Sequence, residues 1–416
     1  MRVFKFGGAS VKDANGVKNV VKVLNFTGHK NTLIVVSAMG KTTNALEHVI
    51  DCYFNNKSEL LTSIFEVEKY HKAICLELFK TETHPVFSTI KICLEDLQLF
   101  LKTNKSPDYN FVYDQVIGFG ELLSTIIIST YLNNIGLENT WLDVRPLIKT
   151  DSYFRKGNVN WEQTQQEIKQ AVSKNTLYVT QGFLASDANN FTTTLGREGS
   201  DYTAAVFAYA LNAESVTIWK DVPGVLNADP RYFEDTKLLE NISYTEAIEL
   251  AFYGASVIHP KTLQPLQQKE IPLHVKCFLN PENNGTVVNK IKGIYPLMPC
   301  FILKRNQILI SLSTLDFSYA VEENISEIFT LLAKYKMKID VIQNSAISFS
   351  VCIENTFNNL EALLLHLKAK FKVTCQQNVN LYTIRHFNDQ VVTELELNKT
   401  VLLKQQFQET IQIVTK

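Results

Sequence analysis

The stretch from Thr192 to Arg231, TTTLGREGSDYTAAVFAYALNAESVTIWKDVPGVLNADPR, narrows the possible folds more than any other part of this chain. Gly196, Arg197, Gly199 and Asp201 crowd into one loop. A helix follows, because Ala204, Ala205, Ala208 and Leu211 recur at helical spacing. Ser200 or Asp201 at that boundary can cap the free N–H groups of the first turn. Ser215 to Trp219 then reads as a buried strand, and Asp221 falls where the strand gives way to a loop. A glycine loop ahead of a helix N-terminus suits an anion. In open α/β sheets, ligands collect outside the carboxyl ends of the strands. One segment thus offers anion-binding backbone, a fixed cation and two carboxylates.

The N-terminus repeats this grammar. Arg2 to Phe6 is a short buried strand, Gly7 and Gly8 break it, and Val17, Val20, Val21 and Leu24 form one face of a helix. Thr32 to Ser37 is a second strand. Strand, glycine loop, helix, strand opens a doubly wound sheet. From Asn44 to about Asn134 the pattern is mostly helical, with Ile64, Val67, Ile74 and Leu78 on one face and Ile90, Leu94, Leu97 and Leu101 on another. GFGELLST, Gly118 to Thr125, places Glu121 at the start of an apolar helix. Strands return at Thr140 to Val144, Leu177 to Val179 and Leu273 to Cys277, and helices at Tyr244 to Tyr253 and from Pro260.

The last third changes character. Ile308 to Leu312, Ile325 to Tyr335, Ile339 to Ile342, Ala346 to Ile353, Leu360 to Ala369 and Phe371 to Cys375 spell βαββαβ, a ferredoxin-like unit. Strands at Leu381 to His386, Val401 to Lys404 and Thr410 to Val414 form a reduced second repeat, completed by Cys300 to Lys304. The expected division is residues 1–285 and 286–416, with repeats at about 306–376 and 377–416.

Composition excludes several classes. A net charge of −1 gives no electrostatic case for nucleic acid or an anionic membrane. The longest apolar runs, such as Leu33 to Val36, are strand-sized, and MRVFKFGGAS has no signal-peptide core. The seven cysteines are scattered, with no CxxC pair and no Cys/His cluster. That argues against a structural zinc site and fits reduced thiols in a cytoplasm.

Taken singly, the charged candidates have plain readings. Lys5 can be a surface lysine at a strand end, and Asp201 and Asp221 ordinary caps. Glu121 can be a carboxylate steadied by a helix dipole, and His259 a turn residue before Pro260. Together they gather charge at glycine loops. Neither GxxxxGK[ST] nor GxGxxG occurs, and no histidine falls in a triad or metal spacing.

KFGGAS, VVSAMGKTTNAL, GFGELLST, TTTLGREGSDYTAA, KDVPGVLNADPR and GASVIHPKTL occur in the order seen in aspartate kinases, which the chain resembles over its whole length. The resemblance implies an amino acid kinase fold, an open and mostly parallel sheet with helices on both faces, followed by a ferredoxin-like ACT regulatory region. It implies transfer of the γ-phosphoryl group of ATP to the side-chain carboxylate of L-aspartate, giving 4-phospho-L-aspartate, the committed step toward lysine, threonine and methionine.

By the same resemblance Lys5, Phe6, Gly7 and Gly8 hold the phosphates of ATP, Asp201 orients Lys5, and Mg2+ is held mainly by nucleotide phosphates, with no protein metal ligand assigned. Arg197 clamps the α-carboxylate of aspartate, Glu121 receives its ammonium, and Ser37, Thr43 and Ser200 add polar contacts. Lys220, Asp221, Leu226, Arg231 and Ser256 stand at nucleotide positions. Asp340, Asn344 and Ser345 are candidates for a lysine or threonine effector, and a homodimer through the ACT region is expected. No homoserine dehydrogenase extension is expected after Lys416.

The chain also departs from the family pattern. Glu198 replaces a glycine, Leu226 a tyrosine, Ser256 a lysine and Lys220 a threonine. Lys220 is expected to restore part of the charge lost at Ser256. AVEENIS replaces a glycine-bearing effector loop near Glu323 and Asn324. Two alternatives stand beside the kinase: a relative acting on another acid such as glutamate or N-acetylglutamate, and a catalytically weak amino acid sensor.

Overall fold

The computed structural model describes residues 1–255, 258–315 and 322–416. The chain forms two compact units. The first comprises Met1–Val225, Leu238–Ile248 and Val257–Gly293; the second comprises Leu226–Lys237, Glu249–Ser256 and Ile294–Lys416.

In the first unit β1 (Arg2–Phe6) leads through a 3-10 turn to α1 (Ala14–Thr27) and β2 (Thr32–Val36). Asp13 caps α1 by accepting the Gly16 N–H at 2.8 Å. Val17, Val20 and Leu24 are buried as the spacing predicts, but Val23, not Val21, completes the fully buried face. Five helices follow: α2 (Thr42–Asn55), α3 (Leu60–Phe79), α4 (Val86–Thr103), α5 (Tyr109–Ile117) and α6 (Phe119–Asn134). The Tyr109–Asn134 run is long and apolar enough to span a bilayer, yet 78% of its most apolar window is buried inside the protein, so it serves as core.

The chain continues through β3 (Thr140–Leu142), α7 (Trp161–Ala171) and β4 (Leu177–Gln181). A small hairpin pairs β5 (Leu184–Ser186) with β6 (Thr192–Thr194). Next come α8 (Gly199–Leu211), β7 (Ser215–Lys220), β8 (Asn241–Ser243), α9 (Tyr244–Tyr253), α10 (Pro260–Gln268), β9 (Leu273–Cys277) and β10 (Thr286–Asn289). Eight of these strands lie in the order β8-β10-β9-β7-β1-β2-β4-β3, all neighbours parallel except β9 and β10. β2 and β4 are buried along their whole length, the expected state of parallel strands covered on both faces. Helices α6 and α8 pack across the central strands. The carboxyl ends of β1, β2 and β7, and the starts of α2, α6 and α8, carry the residues considered below.

The second unit begins its regular structure at β11 (Ile294–Tyr295), followed by β12 (Cys300–Thr314), α11 (Glu322–Lys334), β13 (Lys338–Asn344), β14 (Ser348–Glu354), α12 (Leu360–Lys368) and β15 (Phe371–Arg385). It ends with α13 (Asp389–Glu396), β16 (Val401–Phe407) and β17 (Thr410–Thr415). One antiparallel sheet runs β13-β14-β12-β15-β17-β16. Cys300–Lys304 and Ile308–Leu312 are one strand, as are Phe371–Cys375 and Leu381–Arg385, so the two repeats share their central pair. The short helix α13 lies in the tail that the sequence pattern renders only as strands; Asn388 caps it by accepting the Val391 N–H at 2.9 Å. Glu323 and Asn324 open helix α11 rather than lying in a loop.

Candidate active site

Lys5 is the penultimate residue of β1, just before buried Phe6, and its ammonium meets Asp201 Oδ1 at 2.6 Å. Asp201 lies in the first turn of α8, fully enclosed. Lys220, the last residue of β7, approaches the other carboxylate oxygen at 3.6 Å. Burial opposes the charge on Asp201, but Lys5 and Lys220 outweigh it and hold the carboxyl below the usual range. Two cations around one anion leave surplus positive charge at the carboxyl end of the sheet.

These groups line a cavity of about 290 Å³. Ser37 follows β2, Thr43 lies in the first turn of α2, and Ser200 in that of α8; all three face it. Glu121, in the first turn of α6, lines it as well. Its Oε1 accepts the Ala38 N–H at 3.4 Å, while Oε2 is buried without a hydrogen-bond partner among the described residues. Burial pushes the Glu121 carboxyl up to about 8, against the Ala38 N–H and the charge of Lys5. A buried acceptor without a donor is costly unless a ligand supplies one.

Glycines allow these loops to close together. A Cβ on Gly8 would lie 2.6 Å from the Ala38 carbonyl oxygen, and the Gly40 N–H bonds the Gly8 carbonyl at 3.0 Å. A Cβ on Gly182 would meet Ser200 at 2.4 Å, so the QGF turn sits directly against the start of α8. Ser124 and Thr203 brace the walls, donating to the Ser37 carbonyl at 2.8 Å and accepting the Phe183 N–H at 2.9 Å.

The remaining predicted residues fall elsewhere. Phe6 is wholly buried and stacks on Trp219 with ring centroids 6.2 Å apart, so its side chain belongs to the core. Arg197 is exposed and does not line the cavity; its neighbour Glu198 does. Glu198 adopts φ 52° at the N-cap of α8, and its Oε2 is buried without a hydrogen-bond partner among the described residues. Asp221 is exposed. Leu226 and Arg231 belong to the second unit, where Arg231 forks onto Asp229 at 3.0 and 2.6 Å. Ser256 lies outside the described residues.

In the second unit Asp340 marks a register shift in β13 and is bound by Lys304 at 2.6 Å. Asn344 and Ser345 are exposed at the far end of that strand, about 13 Å along it by strand rise. Asp340 is therefore already engaged by a cation and does not share one cluster with them.

Sequence reasoning missed Phe183, at φ 69°, as part of the lining. It also missed Lys261, which donates to the Leu195 carbonyl at 3.2 Å below the Gly196 loop. The PK pair of GASVIHPKTL was the available signal.

The profile of the amino acid kinase family matches residues 1–277. Lysine-sensitive aspartokinase 3 of Escherichia coli strain K12 is 29% identical over 393 residues, covering 92% of this chain and 86% of that protein. The chloroplastic aspartokinase 3 of Arabidopsis thaliana is 30% identical over 417 residues, covering 95% and 68%. Among solved structures, E. coli aspartokinase III in complex with aspartate and ADP superposes with a TM-score of 0.81 at 27% identity, covering 100% of this chain and 96% of that one.

Proposed function

The chain belongs to the amino acid kinase family and is an ATP-dependent aspartate kinase, and from that premise we propose how its own residues carry the transfer. The Lys5–Asp201–Lys220 cluster, set in one cavity with Glu121, Ser37, Thr43 and Ser200, carries the proposal.

The acceptor is a carboxylate with a reference pKa near 4, already ionised at neutral pH, so no general base is needed. The obstacle is an anion attacking a polyanion, which preorganised cations and N–H donors relieve. Lys5, held by Asp201, takes the charge that develops on the transferring group, with Gly7 leaving room for phosphate beside it and Gly8 letting the Ala38 loop close in. A Cβ on Gly7 would lie 3.5 Å from Lys5 Nζ, so the glycine keeps that side of the ammonium open. Lys220 adds the second cation. Glu121 receives the substrate ammonium, which gives its orphaned Oε2 a donor. Ser37, Thr43 and Ser200 orient the acceptor, and Arg197 reaches the α-carboxylate from the loop edge. Asp221, which follows Lys220 at the end of β7, completes the first unit's nucleotide set by resemblance.

Mg2+ fits this cavity: Glu198 Oε2 is a buried lining oxygen without a hydrogen-bond partner among the described residues, and it would hold the cation together with the nucleotide phosphates. When bound, Mg2+ supplies neutralising charge on the phosphates.

We also infer a homodimer through the second unit, whose sheet ends in β13 and β16 as edge strands, with Ile342 and Ile347 exposed on and just after β13. Lysine is the first effector to test, as the name of the E. coli relative indicates. Seven cysteines without a disulfide support a reducing, cytoplasmic setting.

The test uses ATP, Mg2+ and L-aspartate with hydroxylamine, which traps an acyl phosphate as its hydroxamate. Signal with L-aspartate but not L-glutamate, lost in Lys5→Ala, is expected. A folded protein that gives none, yet binds amino acids, would reject the proposed roles in favour of a sensor.

A further inference from the structure

His48 and Cys52 are one helical turn apart on α2, so they share a face. The sequence reading found no Cys/His cluster, yet Cys52 Sγ lies 3.7 Å from His48 Nε2. With Zn–N near 2.0 Å and Zn–S near 2.3 Å, a tetrahedral centre sets these atoms roughly 3.5 Å apart. The pair thus already spans one edge of such a centre. Glu59 stands at the N-cap of α3 but caps no N–H group. One of its carboxylate oxygens, with the His48 nitrogen and Cys52 Sγ, completes a trio whose atoms lie within 4.8 Å of one another.

The loop between them is tied down without any ion. The Asn56 N–H bonds the Cys52 carbonyl at 2.9 Å, the Glu59 N–H bonds the Asn56 carbonyl at 3.1 Å, and Ser58 donates to the Asn56 side chain at 2.7 Å. Cys52 is buried while His48 and Glu59 are exposed. A cation would enter from solvent, meet the sulfur last, and keep a fourth position for water.

We propose that His48, Cys52 and Glu59 bind a thiophilic divalent cation of the Zn2+ class, clipping α2 to the start of α3. Imidazole, thiolate and carboxylate match the preference of zinc, and the two anions balance its charge. Binding converts the Cys52 thiol to thiolate and releases its proton to solvent. α2 also carries Thr43 into the catalytic cavity, so the clip steadies the far end of an element of the active site.

The test is titration of the full chain, without nucleotide, with Co2+ as a spectroscopic stand-in. One Co2+ per chain, with a thiolate-to-cobalt charge-transfer band displaced by Zn2+, is expected. Cys52→Ser should abolish the band. His48→Ala and Glu59→Gln should each weaken binding by at least the roughly 10- to 100-fold that loss of an outer-shell partner costs. Glu59 is exposed, so its variant tests the site without disturbing the core. Zn2+ should also raise Tm in the parent and not in Cys52→Ser. No band at one equivalent, a band that survives Cys52→Ser, or unchanged affinity in both other variants overturns the proposal.

Discussion

Glu121 is the residue whose chemistry depends most on its surroundings. Its carboxyl titrates near 8 because burial penalises the charge. Only the ionised form attracts an ammonium, so kcat/KM for L-aspartate should rise as pH increases through about 8. Glu121→Gln should lower kcat/KM and flatten that limb of the profile. A limb that persists in the variant assigns it to another group. Lys220 is a second single-residue test. It shares Asp201 with Lys5 at 3.6 Å, so Lys220→Ala should raise KM for ATP severalfold while Lys5 keeps its partner. An unchanged KM removes Lys220 from the nucleotide set.

At the scale of elements, the start of α8 carries strain. Glu198 holds φ 52°, a conformation that costs an L-residue roughly 1–2 kcal/mol. Glu198→Gly should raise unfolding stability by about 1 kcal/mol and remove a buried carboxylate oxygen from the cavity. Denaturant titration checks the first effect and the Mg2+ dependence of ATP binding the second.

Helix α3 holds a different device. His71 is enclosed, with Nδ1 2.7 Å from the Val67 carbonyl and Nε2 3.5 Å from Thr42 Oγ1 at the start of α2. Burial lowers its pKa to about 4, against the Val67 carbonyl. The unfolded chain binds a proton below pH 6.5 that the folded chain refuses until about 4, so stability is full at neutral pH and falls across that window. The loss amounts to roughly 3 to 4 kcal/mol across the window from pH 6.5 to about 4, at about 1.4 kcal/mol per pH unit. His71→Gln should flatten stability between pH 6.5 and 4; a curve unchanged from the parent would refute the assignment.

The same scale shows where sequence patterns misled. Arg305, Asn306 and Gln307 look like a break between two strands. In the structure Asn306 takes φ 58° at a register shift, and the strand continues beyond it. A bulge absorbs polar residues that periodicity reads as a loop. Helix α13, eight residues long, is too short for its period to stand out from flanking strands.

At the scale of the whole molecule, the two units invite separate tests. If the second unit pairs two chains, light scattering should give a dimer mass, and charges placed on β13 should reduce it to a monomer. Millimolar lysine should slow the hydroxamate reaction or raise Tm. If lysine and threonine change neither, the regulatory role fails and the Lys304–Asp340 pair simply closes that strand.

Much of this was legible in the residues. Glycine loops, helix starts and buried strands are local, so KFGGAS, GFGELLST and GREGSD declared the α/β order and the charged groups by themselves. The kinase resemblance rested on the same short motifs. Tertiary structure alone decided which charges meet. Asp201 joins Lys5 across 196 positions of chain, and Glu198 rather than Arg197 faces the cavity. Glu121 and His71 acquire altered proton affinities only through burial. The trio on α2 and α3 needs both the helix turn and the fold of the loop after it. Spacing reports local geometry, whereas encounter and desolvation depend on atoms brought together from the whole chain.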